Sequence, residues 1–189
     1  MINKQLEHRT IREFKNESLP EDVVDQILNV AQRTATSNGM QGCSIIRVKD
    51  QAKKKRIAEI CKQAYVERVP ELWIFIVDQY RNERITIEKE NIESVNGCDM
   101  DRFTQGFTDA CLMAQNVVNA AESLGMGTVY FGSILNNPKE ICEILNLPKM
   151  TFPAIGLGFG YPGQEPQLKP RMDMKFRVFD DEYKVFDSY

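Results

Sequence analysis

The run ELWIFIVD at 71–78 places six consecutive apolar residues between acidic ends. A strand with one wet face alternates polar and apolar residues, whereas a strand covered on both faces is apolar throughout. The run therefore predicts a central strand, and the rest of the chain has to supply helical layers for both sides of it. With 189 residues, 42% of them hydrophobic, there is material for one such core, and the whole of 1–189 is expected to form a single domain.

The remaining pattern supplies those layers. CSIIRV, TVYFGSI and TFPAIGLGFG read as further strands. SLPEDVVDQILNVAQRTA reads as a helix, with Ser18 and Glu21 at capping-box spacing and Val23, Val24, Ile27, Leu28 and Ala31 as its apolar stripe. TSNGMQG, at 36–42, is a loop. QAKKKRIAEICKQA is a helix whose Lys53, Lys54, Lys55 and Arg56 read as a solvated face, and NPKEICEILNL is a short helix with Pro138 in its first turn. Between 104 and 124, Phe107, Ala110, Cys111, Ala114, Val118 and Ala121 recur at helical spacing, with no charge between Ala110 and Ala121. Such a helix is expected to be buried nearly all round, in the core or at a subunit interface, and to stop at Gly125 and Gly127.

Charge and cysteine usage exclude several function classes. A net charge of −3 disfavours nucleic-acid binding. Cys43, Cys61, Cys98, Cys111 and Cys142 are odd in number, widely spaced and without a C-x-x-C pair; with one histidine in the chain they make no metal site and read as free thiols of a reducing cytoplasm. The N-terminus lacks a secretory apolar region, and no run approaches membrane-spanning length, so a cytoplasmic protein without membrane association is expected. Gly158-Phe-Gly160-Tyr-Pro-Gly163 has the spelling G-x-G-x-x-G, but three prolines stand where a dinucleotide-binding helix would have to begin. No G-x-S-x-G or credible nucleophile triad is present. Redox or transfer chemistry would then come from a bound organic cofactor.

Two basic clusters suit an anionic cofactor. EHRTIREF puts Arg9 and Arg12 three residues apart with His8 and Thr10 between or beside them, and LKPR places Lys169 and Arg171 far downstream. Each is either a solvated face or half of an anion site, and arginine offers forked hydrogen bonds to phosphate.

HRTIREF, TSNGMQGCSIIRV, QAYVERVPELWIFIVD, AQNVVNAAESLGMGTVYFGSILNNP and GLGFGYPGQEPQLKPR, in this order, resemble the nitroreductase superfamily, in its flavin reductase and oxygen-insensitive NADPH nitroreductase branch. The resemblance implies an α+β fold: a central mixed, mainly antiparallel sheet flanked by helices, in an intertwined homodimer with FMN at the subunit interface. It implies an FMN-dependent NAD(P)H oxidoreductase reducing nitroaromatic, quinone or flavin acceptors by ping-pong hydride transfer; the alternative is an FMN-binding protein that stores or senses the flavin without turnover. The chemistry would be carried by flavin N5, with no catalytic side chain and no metal. The implied FMN contacts are His8, Arg9, Thr10 and Arg12; Ser37, Asn38 and Gln41; Gln63 and Tyr65; Gly132 and Ser133; and Lys169 and Arg171. Thr10 replaces a more usual serine, and Ser133 the second glycine of a pair, a change expected to alter access to one ring edge. The acidic stretch DDEYKVFDSY is expected to give weak discrimination between NADH and NADPH, unless the Lys53–Arg56 run supplies a site for the 2′-phosphate.

Overall fold

The structure, a computed structural model, describes residues 2–93 and 99–188. The run at 71–78 forms strand β2 (Glu71–Asp78), and it is buried on both faces. Trp73, Phe75 and Val77 enter one apolar cluster, while Leu72, Ile74 and Ile76 enter the other. The alternation follows from the pleat, which sends successive side chains to opposite faces. Each fully buried large side chain contributes roughly 1.5–3 kcal/mol, so both layers are held by this one strand.

Strands β1 (Cys43–Arg47), β3 (Gly127–Phe131) and β4 (Thr151–Gly160) complete a sheet of order β1-β2-β4-β3. All three pairings are antiparallel. Among the described residues the parallel component of the expected mixed sheet is a single bridge, Thr10 to Thr128, where the N-terminal segment lies along β3. One face is covered by α2 (Glu21–Gln32) and α5 (Met100–Ser123), the other by α3 (Gln51–Cys61) and α6 (Pro138–Leu145). Helix α1 (Ile2–Leu6) precedes them, and α4 (Gln79–Glu90) follows β2 directly. Among the described residues no helix is long and apolar enough to cross a membrane.

Four expectations are corrected. Helix α2 begins at Glu21 after Pro20, whose carbonyl accepts from Val23 and Val24 at 3.1 Å, so the Ser18–Glu21 capping box does not form. The lysine at 54 is no part of a solvated face: it is 6% exposed and its Nζ donates to the carbonyls of Val69 (2.8 Å) and Pro70 (3.1 Å). Helix α5 is not buried all round within the chain. Gly106, Asp109, Ala110, Ala114, Val117, Val118 and Ala121 form its buried stripe, while Thr108, Leu112 and Gln115 on the far side are exposed. Gly125 ends the helix with φ +83°, but Gly127 already belongs to β3. Cys43, Cys61, Cys111 and Cys142 are free; Cys98 lies outside the described residues.

The glycines of the G-x-G-x-x-G spelling are packing devices. Gly158 and Gly160 lie inside β4, and residues 161–173 after them form no helix. A Cβ at Gly158 would come within 2.8 Å of the Phe131 ring and 2.9 Å of Val69, and one at Gly160 within 2.5 Å of Pro70. The missing side chains let the Phe131 ring lie against the sheet. Gly158→Ala is therefore expected to destabilise the protein by about 1–3 kcal/mol through overpacking. Urea unfolding measures this, and an unchanged midpoint would contradict it.

Candidate functional site

The N-terminal segment is fixed to the edge of the sheet before any cofactor is considered. Ile11 N donates to Thr128 O at 2.9 Å, and the Ile11 side chain occupies the place a Cβ of Gly127 would need, 2.4 Å away. Farther along, the Gln164 carboxamide oxygen accepts from the backbone of Arg12 (2.8 Å) and Glu13 (2.7 Å), and Gly163 N donates to Glu13 O. The stretch 8–13 is thus clasped between β3 and the segment that leaves β4.

This frame presents His8, Arg9, Thr10 and Arg12 together. The His8 Nδ1 lies 2.7 Å from Glu122 Oε1 in the last turn of α5. Arg9 pairs with Glu165 at 3.3 Å, while its Nε is buried with no hydrogen-bond partner among the described residues. Glu165 is 90% exposed, and a pair so open to water is worth roughly 0–1 kcal/mol, so it holds the guanidinium only weakly. A cavity of about 610 Å³ opens beside them, lined by Lys4, His8, Arg9, Glu122, Gln164 and Glu165 among others.

Gln63 and Tyr65 join the same neighbourhood. Helix α3 ends at Lys62 in the left-handed region (φ 53°), and the 3-10 turn Ala64–Arg68 brings Tyr65 round. Its hydroxyl accepts from Arg12 Nε at 3.3 Å, and its ring lies 5.9 Å from that of Phe131. The turn Gly132–Asn136 follows β3 there, and Ser133 Oγ donates to Gln63 Oε1 at 3.3 Å. A side chain at Gly132 would meet nothing within 4 Å, so the backbone there borders open space. The hydroxyl at Ser133 is turned to Gln63, which gives the departure from a glycine pair a function within the chain. Beneath lies Cys61, 3% exposed; burial pushes its thiol up, against the opposing hydrogen bond of Ser133, so it stays protonated and inert at neutral pH.

The structure does not bring the other candidates into this set. Ser37, Asn38 and Gln41 belong to the loop at 36–42, which is gripped by Asp109. That carboxylate, 2% exposed, accepts from Ser37 N (2.8 Å) and Gly42 N (2.9 Å). The carbonyls of Gln41 and Met40 accept from Arg81 and Asn82. With its backbone satisfied this way, the loop holds Asn38 (φ 50°), Gly39 (φ 69°) and Gln41 (φ 50°) in the left-handed region. Asp109 and Glu122 are thirteen residues apart on α5, about 20 Å at 1.5 Å per residue. The loop and His8 therefore hang from opposite stretches of one helix. Lys169 and Arg171 are exposed; Arg171 donates to the nearby carbonyls of Lys169 and Pro170 at 3.2 and 3.3 Å. Among the described residues no hydrogen bond or ion pair links either to the N-terminal set, which meets the C-terminal stretch at Gln164 and Glu165 instead. Nor does the 53–56 run form one basic patch: Lys54 is buried, and Arg56 pairs with Glu140 at 3.4 Å.

The family model for the nitroreductase family matches residues 6–161, a span that holds the sheet and every segment of this site except the stretch beyond 161. The chain belongs to the nitroreductase family. An NADPH-dependent oxidoreductase of Staphylococcus epidermidis is 36% identical over 180 residues, 94% of this chain and 71% of that relative. The oxygen-insensitive NADPH nitroreductase of Salmonella typhimurium is 34% identical over 182 residues, covering 96% and 73%. Among solved structures, the NADPH:FMN oxidoreductase from Vibrio harveyi complexed with NAD+ superposes with a TM-score of 0.91 at 32% identity, over 98% of this chain and 79% of that one. Nitroreductase A from Vibrio parahaemolyticus gives the same TM-score at 33% identity, over 98% and 77%.

For this nitroreductase, residue types alone did not single out Glu122, Asp109, Gln164 or Glu165. One signal was available: Asp109 and Glu122 bracket the uncharged stretch of α5, each continuing its buried side. Asp109→Ala leaves the buried Gly42 N–H and the part-buried Ser37 N–H unpaired, and is expected to cost about 2–6 kcal/mol at roughly 1–3 kcal/mol per orphaned group. Hydrogen exchange should show Ser37 and Gly42 losing protection first; unaltered exchange at both amides would refute the grip.

Proposed function

We propose that the chain is an FMN-dependent NAD(P)H oxidoreductase that reduces nitroaromatic, quinone or flavin acceptors by ping-pong hydride transfer, working as one domain over 1–189. The observation that carries this reading is that the segment holding Arg9, whose Nε is buried with no hydrogen-bond partner among the described residues, is joined through Arg12 to Tyr65 close to the Gln63–Ser133 pair. A buried donor left unpaired is costly, and an anionic ligand oxygen would satisfy it. The open space at Gly132 and the Tyr65 and Gln63 side chains suit a planar ring. The residues present therefore fit FMN.

When bound, FMN supplies the carrier that takes a hydride from the nicotinamide and delivers it to the acceptor. The protein's part is position and field. Arg9, His8 and Thr10 would hold the phosphate end, with Lys169 and Arg171 completing the anion site. Arg12, oriented by the Tyr65 hydroxyl, would hold positive charge at the ring and favour whichever state of it is more negative. No side chain is required as proton donor, since water reaches an open site. The names of the Staphylococcus and Salmonella relatives and the Vibrio oxidoreductase support this assignment.

The test is the absorption spectrum of the purified protein, followed by anaerobic addition of NADH or NADPH. A yellow protein that bleaches with either donor is expected, and a colourless protein without affinity for FMN would overturn the reading. Arg9→Ala should weaken FMN binding at least about tenfold, since a charge-assisted hydrogen bond is worth about 1.5–3 kcal/mol. Full flavin occupancy with an unchanged dissociation constant would place the phosphate elsewhere.

The proposed enzyme is a homodimer. The Ser37 loop and His8 are held by carboxylates roughly 20 Å apart along α5, which argues that a second subunit brings its loop, with Ser37, Asn38 and Gln41, to the flavin of the first. Leu112 on the outer face of α5 (48% exposed) and Val178, Tyr183 and Val185 downstream supply apolar surface for that contact. Sedimentation should show a dimer down to low concentration. A stable, flavin-loaded monomer would contradict the shared site.

A further inference from the structure

We infer that Glu165 is a built-in competitor of the candidate anion site: paired with Arg9, it holds the affinity for an anionic ligand below what the cations alone would give, and so helps to set how tightly the cofactor is kept. The inference rests on the flavin reading for the identity of that ligand, but not for the pair.

Arg9 meets Glu165 through one corner of its guanidinium. Nη1 lies 3.3 Å from Glu165 Oε1, and Nε is buried with no hydrogen-bond partner among the described residues. Nε and Nη2 share one edge of the guanidinium, an edge suited to a forked grip on phosphate or carboxylate. Glu165 therefore leaves that edge to a ligand and acts on it through charge, cancelling part of the field of Arg9 and repelling an incoming anion. Arg9 and Glu165 line the same cavity, so an anion that reaches the first comes within range of the second.

The backbone keeps the carboxylate there. Gly163 N donates to Glu13 O at 2.8 Å, and Gln164 Oε1 accepts from Arg12 N (2.8 Å) and Glu13 N (2.7 Å), so the residues just before Glu165 are tied to the segment that carries Arg9. The Glu165 side chain is 90% exposed, and little packing resists its moving aside. It can step off Nη1, but it cannot leave the rim. The other acidic side chains of the cavity differ. Glu122 is 12% exposed and committed to His8 (2.7 Å) and Thr128 (2.6 Å), while Glu7 forms no ion pair with Arg9.

Dilution of the flavin-loaded full chain, with released FMN read by its fluorescence, gives the dissociation constant. Glu165→Gln keeps the size of the side chain and removes its charge. It should bind FMN about two- to fivefold more tightly than the wild type at low salt, the range of an exposed ion pair. The gain should shrink in about 1 M salt, where the screening length falls to about 3 Å. Riboflavin, the same ring without the phosphate, should be bound equally by both proteins. Glu7→Gln takes the same charge from the same cavity without touching Arg9, and should tighten FMN binding less. Unchanged or weakened FMN binding in Glu165→Gln overturns the inference, as does an equal gain for riboflavin or an equal gain from Glu7→Gln. A wild-type protein with no affinity for FMN overturns the flavin reading instead. Inorganic phosphate, followed by 31P NMR, then reads the pair by itself: tighter binding to Glu165→Gln sustains the competitor, and equal or absent binding overturns it.

Discussion

Strand β2 has no face turned to water, and the rest of the architecture answers that condition. Six adjacent apolar side chains send three residues into each of two clusters, so neither helical layer can be lost without exposing the middle of the sheet. β4 has to pack beside β2 and still leave room for Phe131, which it does by omitting side chains at Gly156 and Gly158. Once Phe131 lies there, the chain leaves β3 at Gly132, next to Tyr65. The candidate flavin site is thus a by-product of how the central strand is covered.

Legibility followed burial. β1, β2, β3 and β4 could be read because buried strands leave runs of β-branched and aromatic residues, and α5 and α6 because their apolar stripes keep helical spacing. Helix α4 left no comparable trace. Gln79 is its one buried residue, so no periodic stripe forms, and its start is set by Asp78 accepting from Arg81 N at 3.0 Å. Lys54 was misread for the complementary reason. A long side chain can lay its stem in the core and satisfy its ammonium on backbone carbonyls, and composition alone does not reveal that.

The site was legible in residue type and hidden in partnership. The pattern of Arg9, Arg12 and His8 suits an anion site as well as a solvated face, yet what holds His8 and Arg9 comes from 110 or more residues away, through Glu122 and Glu165. Such pairings depend on the sheet order, which periodicity does not encode. The loop at 36–42 shows the same split. Its composition announces a turn, but its rigidity comes from the carboxylate of Asp109, and that carboxylate also acts, after burial itself, to push the neighbouring Cys43 thiol up to about 12.

Helix α5 carries a carboxylate at each end of its uncharged stretch, one committed to a loop and one to the N-terminal segment. The buried side chains between them fix how the helix packs, and their number fixes the spacing of the two acids. Each residue added to an α-helix turns everything beyond it by about 100° and advances it about 1.5 Å, so a single insertion between 110 and 121 would swing Glu122 off His8 while Asp109 kept its loop. The interval between the two acids is therefore a fixed length in this protein, a spacer as much as a packing surface.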